Sequence, residues 1–284
     1  MGKSILQELE SKVEGFTHSQ RKVADYILKY PTEAAFLTIE QLAGLTGVSV
    51  ATVMRLAYSI GHTGFSQFQK ELQEVLRSRV APPNRLEANV KKISKNKLLI
   101  DCAQLQIENI RKTVEFLSEE KIDQAFQLIA EAKKVYVIGI RGSSAVANCL
   151  TEGLNRLGVD CEQIVPDTVR SQAICARLSS NDLVIAVSLP RYARRTVEIS
   201  RIAKKRQAKL LAITDGYSSP LALIADVFLG CAFESRAFHH SEIGALFVAD
   251  FLVTGIAVKN SHHSKQQLED IEKVVKDLEA NVIE

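Results

Sequence analysis

Three short stretches of the sequence gather residues able to do chemistry. In "VIGIRGSSAVANCL" an apolar run ends in Arg141, Gly142, Ser143 and Ser144. These are a cation, a residue that permits close backbone approach, and two hydroxyls able to donate to a phosphate or carboxylate. In "DLVIAVSLPRYARRTVE" a second apolar run ends in Ser188, and Arg191, Arg194 and Arg195 come directly after it. Guanidinium groups so placed can hold a carboxylate or phosphate bidentately. In "TGVSVATVMRLAYS" the small or hydroxylated Ser49, Ala51 and Thr52 precede Arg55 and Tyr58. Such a face can sit in a major groove, with the arginine reaching guanine or phosphate.

A fourth stretch, "FESRAFHHSEIGAL", offers Glu234, Ser235, His239, His240 and Ser241 as further ligand contacts. The pairs His239–His240 and His262–His263 lack carboxylate or cysteine neighbours at metal-ligand spacing, so no metal and no cofactor is expected. Cys102, Cys149, Cys161, Cys175 and Cys231 are odd in number, widely spaced and never C-x-x-C, which argues against a disulfide framework.

Periodicity defines the elements that must position these residues. Leu6, Leu9, Val13, Val23, Ile27, Leu28, Ile39, Leu42, Leu45, Val53, Leu56 and Ile60 recur at helical spacing, so residues 1–77 form a small all-α domain. "RSRVAPPNRLEANVKKISKNK" carries a Pro-Pro pair and many charges, and residues 78–96 are read as a linker. Residues 97–284 then form a second domain. Two amphipathic helices lead into "KVYVIGI", "DLVIAVS", "KLLAIT" and "DVFLGCA", short apolar strands separated by helix-length sequence. That alternation describes a doubly wound α/β fold with a parallel sheet. A long apolar helix comes next, and the C-terminal tail carries Leu268, Ile271, Val274, Val275 and Leu278 on one face, which packs on the domain or on a second subunit.

The composition, 46% hydrophobic and 24% charged with a net charge of +3, is that of an ordinary globular chain. A polyanion would have to be met by a local patch. No apolar stretch reaches the roughly 20 residues that cross a bilayer, and the N-terminus lacks the apolar core of a secretory signal. A cytoplasmic protein without a membrane partner is expected.

"LTIEQLAGLTGVSVATVMRLAYSIGHTGF" has the grammar of a helix-turn-helix. Thr38 caps a first helix, Gly47 takes positive φ in the turn, and Ser49 caps a second helix. Val48, Val53, Leu56 and Ile60 face inward, and Ser49, Ala51, Thr52, Arg55 and Tyr58 face outward. His62 and Lys70 on the next segment support a DNA-reading surface, while Arg21 and Lys22 are phosphate contacts or solvated charges. A plain three-helix packing module is the alternative.

The stretch from Glu14 to Leu72 resembles the N-terminal domain of the RpiR family of bacterial transcriptional regulators, through Ser49, Thr52 and Arg55 of the recognition segment and through Gly64 and Phe65 beyond it. The resemblance runs nearly the full chain. It implies a flavodoxin-like sugar isomerase (SIS) domain that senses a phosphosugar, and binding of double-stranded DNA at a palindromic operator as a homodimer or homotetramer. The family's first ligand loop, G-x-G-x-S, matches Gly139 and Ser143 or Ser144, with Arg141 at a position usually small or neutral. Its second, S-x-S-G-x-T, matches Ser188 alone. Pro190 replaces the second serine, Arg191 the glycine and Ala193 the threonine, and Gln207 replaces a glycine further on.

The altered loop removes two hydroxyls and one N–H donor. Three readings stay open: the arginines rebuild an anion site for a phosphosugar or another acid, they face a subunit or DNA, or they are solvated. Arg194 and Arg195 near a helix N-terminus oppose the macrodipole unless an anion answers them. A rival function is aldose-ketose isomerisation with Glu152, Glu234 or His239 as base. Another is a regulator whose second domain serves only for assembly.

Overall fold

The structure, a computed structural model, describes residues 5–79, 83, 86, 87, 89, 97–217 and 219–280. The chain separates into two compact units. Most of the expected linker, 78–96, lies outside the described residues.

The first unit is helical: α1 (Ile5–Lys12), a short 3₁₀ turn (Val13–Gly15), α2 (His18–Lys29), α3 (Pro31–Ala34), α4 (Ile39–Thr46), α5 (Val50–Ser59) and α6 (Phe65–Arg79). Thr17 and Thr38 each form a capping box with the glutamine three residues on, which satisfies donors that would otherwise be orphaned at the starts of α2 and α4. Leu9, Ile27, Leu42, Leu56 and Leu72 are fully buried and bring five of the helices to one core. The axes of α4 and α5 meet at 103°, within the range of helix-turn-helix pairs.

The second unit opens with α7 (Leu98–Phe116) and α8 (Glu119–Glu131). Next come β1 (Lys134–Gly139), α9 (Ser143–Arg156), β2 (Cys161–Gln163), α10 (Val169–Arg177), β3 (Asp182–Val187), α11 (Arg194–Lys205), β4 (Lys209–Thr214) and β5 (Val227–Gly230). α12 (Ile243–Lys259) and α13 (Ser261–Ala280) complete it. The strands lie in the order β2-β1-β3-β4-β5 and every pairing is parallel. Val135, Val137, Leu183, Ile185, Leu211 and Ile213 face one side of the sheet, where they share a core with α8, α9 and α12. The strands are buried on both faces, hence their unbroken apolar runs.

Four of the five strands stand where the apolar runs place them. β2 escapes that reading because "CEQ" is three residues long with one apolar side chain. It is an edge strand whose Glu162 is held by Lys134 at 3.2 Å and by Arg170. The long apolar helix starts only at Ile243, so His239 and His240 lie in the loop before it. On α13, Val274, Val275 and Leu278 remain exposed, so the tail's apolar face is not covered by its own domain.

Arg141, Arg191 and Gln207 adopt φ of 61°, 69° and 64°. The resemblance expects a small or neutral residue at 141 and a glycine at 191 and 207, and the left-handed backbone at all three is one that favours glycine. Gln207 lies just past the C-cap of α11, where its N–H donates to Lys204 O and that of Ala208 to Ala203 O. This is a helix end that favours glycine. Left-handed geometry costs about 1–2 kcal/mol for a residue with a Cβ, and glycine returns part of that as chain entropy. Gln207→Gly is therefore expected to stabilise the protein by about 0.5–1 kcal/mol, read as a higher melting temperature by circular dichroism. A lower one would mean that the glutamine side chain contributes more than its strain costs.

Candidate DNA-reading face and ligand site

The turn between α4 and α5 is set by Gly47 at φ 66°, whose N–H and that of Val48 fold back onto Gly44 O and Ala43 O. Ser49 then caps α5 by accepting the N–H of Thr52 at 3.3 Å. Val53, Leu56 and Ile60 are buried, and Val48 packs against the same core. Ala51, Arg55 and Tyr58 are exposed on one face at helical spacing, with Tyr58 52% exposed. Among the described residues the Arg55 guanidinium bonds only through Nε, to Ala51 O at 3.2 Å, which leaves its two terminal nitrogens without a protein partner there. Arg21, Lys22, Ser49 and Lys70 are not buried either.

Two residues expected on this face are not there. Thr52 is 9% exposed. It lies on the stripe that buries Val53 and Leu56, and its hydroxyl pairs with that of Ser49 at 3.0 Å. His62 is 7% exposed because Gly61, at φ 94°, reverses the chain after α5. Its N–H donates to Ala57 O, its ring stands edge-on to Phe68, and Nε2 lies 2.7 Å from Glu71. Its imidazole joins α6 to the end of α5 and is not on the exposed surface.

In the second unit, Gly139 and Val187 are register partners at the carboxyl ends of adjacent parallel strands. The loops 140–142 and 188–193 therefore leave the sheet side by side. In the order 2-1-3-4-5 this is where the chain switches direction, the crevice in which open α/β sheets bind ligands. Arg141, Gly142, Ser143, Ser144, Ser188 and Arg191 all lie there, on the two loops or in the first turn of α9.

Their side chains divide sharply. Arg141 and Arg191 are exposed and have no hydrogen-bond or ion-pair partner among the described residues. Ser188 is buried and serves the loop itself: its N–H donates to Ile213 O, its carbonyl accepts from Thr214, and its Oγ accepts the N–H of Ala193 at 3.2 Å. Ser144 donates from both N–H and Oγ to Arg141 O, so its hydroxyl closes the turn. Pro190 before a left-handed residue is the sequence of a type II turn, and it carries Arg191 at its tip.

Arg194 and Arg195 do not need an external anion. Arg194 pairs with Glu198 at 2.6 Å, and Arg195 pairs with Glu198 and with Asp167, each at 2.9 Å. Acidic residues of the same unit answer both charges against the α11 dipole, and both side chains are solvated. Glu234 is held by its backbone to Asn109, and its exposed carboxylate makes no bond to either loop among the described residues. His239 is exposed, bonded through Nδ1 to His240 O and set against Phe238. Glu152 lies exposed on α9 with Asn148 as its partner.

Three site residues escaped the sequence reading. Tyr192, beside Arg191, is buried and donates to both carboxylate oxygens of Asp215 at 3.0 Å. Burial and the neighbouring carboxylate push the phenol well above its usual range, and burial pushes Asp215 up. The pair anchors the Arg191 turn onto the end of β4. Glu242, the N-cap of α12, accepts from Ser143 Oγ at 3.3 Å. A Cβ on Gly142 would collide with its Oε1. Gly142 therefore gives its close approach to this carboxylate. Burial raises the Glu242 pKa, against smaller lowering effects of Ser143 and His239. No side-chain signal marks these residues in the sequence, because each is polar at a loop whose path only the fold defines.

Residues 3–79 match the helix-turn-helix domain of the rpiR family, and residues 128–254 match the SIS domain. The chain belongs to the RpiR family. It resembles the transcriptional regulator HexR of Escherichia coli, 25% identical with 96% of this chain and 95% of the relative covered. The sugar isomerase domain of an RpiR transcription factor from Sphaerobacter thermophilus is 32% identical, covers 62% of this chain and 99% of its own, and superposes with a TM-score of 0.61. NanR of Vibrio vulnificus, solved with ManNAc-6P, is 26% identical over 96% of this chain and 98% of its own, with a TM-score of 0.68. The RpiR-family chain is thus a transcriptional regulator with helix-turn-helix and SIS domains. No single helix among the described residues is long and apolar enough to cross a membrane.

Proposed function

We propose that this regulator binds double-stranded DNA at a roughly palindromic operator, as a cytoplasmic homodimer or homotetramer, and that its SIS domain senses a small anionic metabolite, a phosphosugar or sugar acid, without turning it over. The observation that carries the sensing half is the pair of unanswered guanidinium groups, Arg141 and Arg191, on loops that leave adjacent strand ends. Two such cations held by left-handed backbone beside a switch-point crevice suit a phosphate or carboxylate. That NanR was solved with ManNAc-6P adds support. The DNA half rests on the outward face of α5, and a ligand that favours one spacing of two such helices would shift the population able to span two half-sites.

Fluorescence anisotropy against a fragment of the protein's own promoter, with and without ManNAc-6P, glucose 6-phosphate, glucosamine 6-phosphate and 6-phosphogluconate, tests both halves. Salt-sensitive, sequence-selective binding that at least one compound changes is the expected result. The same compounds, at about 100 times their dissociation constant, should stabilise the protein by about 2.7 kcal/mol. No sequence preference at low salt sinks the DNA half. No thermal shift across the panel favours a domain used only for assembly, and interconversion of a sugar phosphate would restore the isomerase reading.

A further inference from the structure

Glu242 stands where a bound anion would be expected. The start of α9 presents partial positive charge at the ligand crevice, and in the absence of other groups it would draw a phosphate or carboxylate. Here a carboxylate of the protein already occupies that place: Glu242 Oε1 lies against Gly142 and Oε2 accepts from Ser143. Its backbone starts α12, Gly142 leaves it room, and the Ser143 hydroxyl holds it there. A second anion brought to this end would meet a like charge at close range in a partly desolvated site, which disfavours it. At the other loop, Arg191 stands exposed with no carboxylate partner among the described residues.

Exposed cations thus stand on both loops, Arg191 after β3 and Arg141 after β1, while the first turn of α9 itself is faced by the Glu242 carboxylate. We infer that Glu242 is a specificity-determining residue: it excludes an anionic group from the start of α9 and selects a ligand that presents hydroxyl or ammonium donors there, with its anion on the Arg191 side. This rests on the sensing reading above. It narrows the ligand class to a sugar phosphate with one anionic end and a neutral or cationic other end, and it disfavours a sugar acid phosphate charged at both.

The test is a calorimetric comparison of glucose 6-phosphate, glucosamine 6-phosphate and 6-phosphogluconate on the full chain and on Glu242→Gln and Glu242→Asp. The full chain should bind the first two at least about tenfold more tightly than the aldonate. The glutamine variant keeps the shape and an acceptor for Ser143 without the charge, and the preference should shrink to less than about threefold. The aspartate variant keeps the charge and should keep most of the preference, which a merely structural role would not do. Unchanged preference in the glutamine variant, or equal loss in both variants, overturns the inference. Failure of all three compounds and of ManNAc-6P to bind the full chain overturns the sensing reading itself, and the inference with it.

Discussion

Replacing Arg55 by alanine is expected to weaken operator binding by about 1–3 kcal/mol for each recognition helix, about ten- to a hundredfold per half-site, and to relax selection at the base it reads. The side chain is exposed, its one bond among the described residues runs to Ala51 O, and it is not part of the first core, so folding should not change. The contrast lies with the other basic residues. Lys70, Arg21 and Lys22 are exposed and lie outside α5. Removing one of them should weaken binding about equally on all sequences and flatten the salt dependence by about one unit of slope. Anisotropy titrations at several salt concentrations, on operator and scrambled fragments, separate the two patterns. Equal losses on both fragments for Arg55→Ala would move that residue from base reading to phosphate contact.

Much of this face is legible in the sequence because capping chemistry is local. Thr38, Gly47 and Ser49 act through bonds to residues at most four positions away, so their types alone define where α4 and α5 begin and end. Thr52 and His62 show where that legibility stops. A hydroxyl near a helix start suits a groove or a neighbouring cap equally well, and Ser49 took it. An imidazole after a glycine turn suits solvent or a pocket, and Phe68 and Glu71, on a different helix, decided the matter.

The second unit divides the same way. Buried parallel strands announce themselves by unbroken apolar runs, but β2, short and at an edge, needs only its neighbour's backbone to exist. Glycine, serine and arginine at the ends of two such runs locate the candidate ligand loops, but residue type does not assign each polar group its task. Ser188 and Ser144 spend their hydroxyls on the loops themselves, and Arg194 and Arg195 find Glu198 and Asp167. Glu198 is one helical turn away and could be anticipated from spacing. Asp167 comes from the segment before α10, which only the sheet order brings close. Glu242 and Asp215 reach the site from later loops, and no spacing rule connects them to Gly142 or Tyr192.

Replacing Arg191 by glycine should cost about ten- to a hundredfold in affinity for whichever phosphosugar of the panel binds, equivalent to the roughly 1.5–3 kcal/mol of a hydrogen bond to a charged group. Glycine is the substitution that isolates the guanidinium. Position 191 has φ 69°, so alanine would keep the strain of a Cβ in left-handed geometry, whereas glycine relieves it and keeps the turn. The anchor beneath, Tyr192 on Asp215, is untouched. Arg194→Ala and Arg195→Ala are the controls, since both charges are already answered within the unit and both are solvated, and their loss should leave ligand affinity nearly unchanged. DNA affinity without ligand should persist in Arg191→Gly because the proposed reading face is on α5, and the response to added phosphosugar should disappear. If instead the variant keeps its ligand affinity, the anion does not sit on this turn. If it loses DNA binding while its melting temperature holds, Arg191 serves assembly or phosphate contact, and the cation of this loop was never part of the sensor.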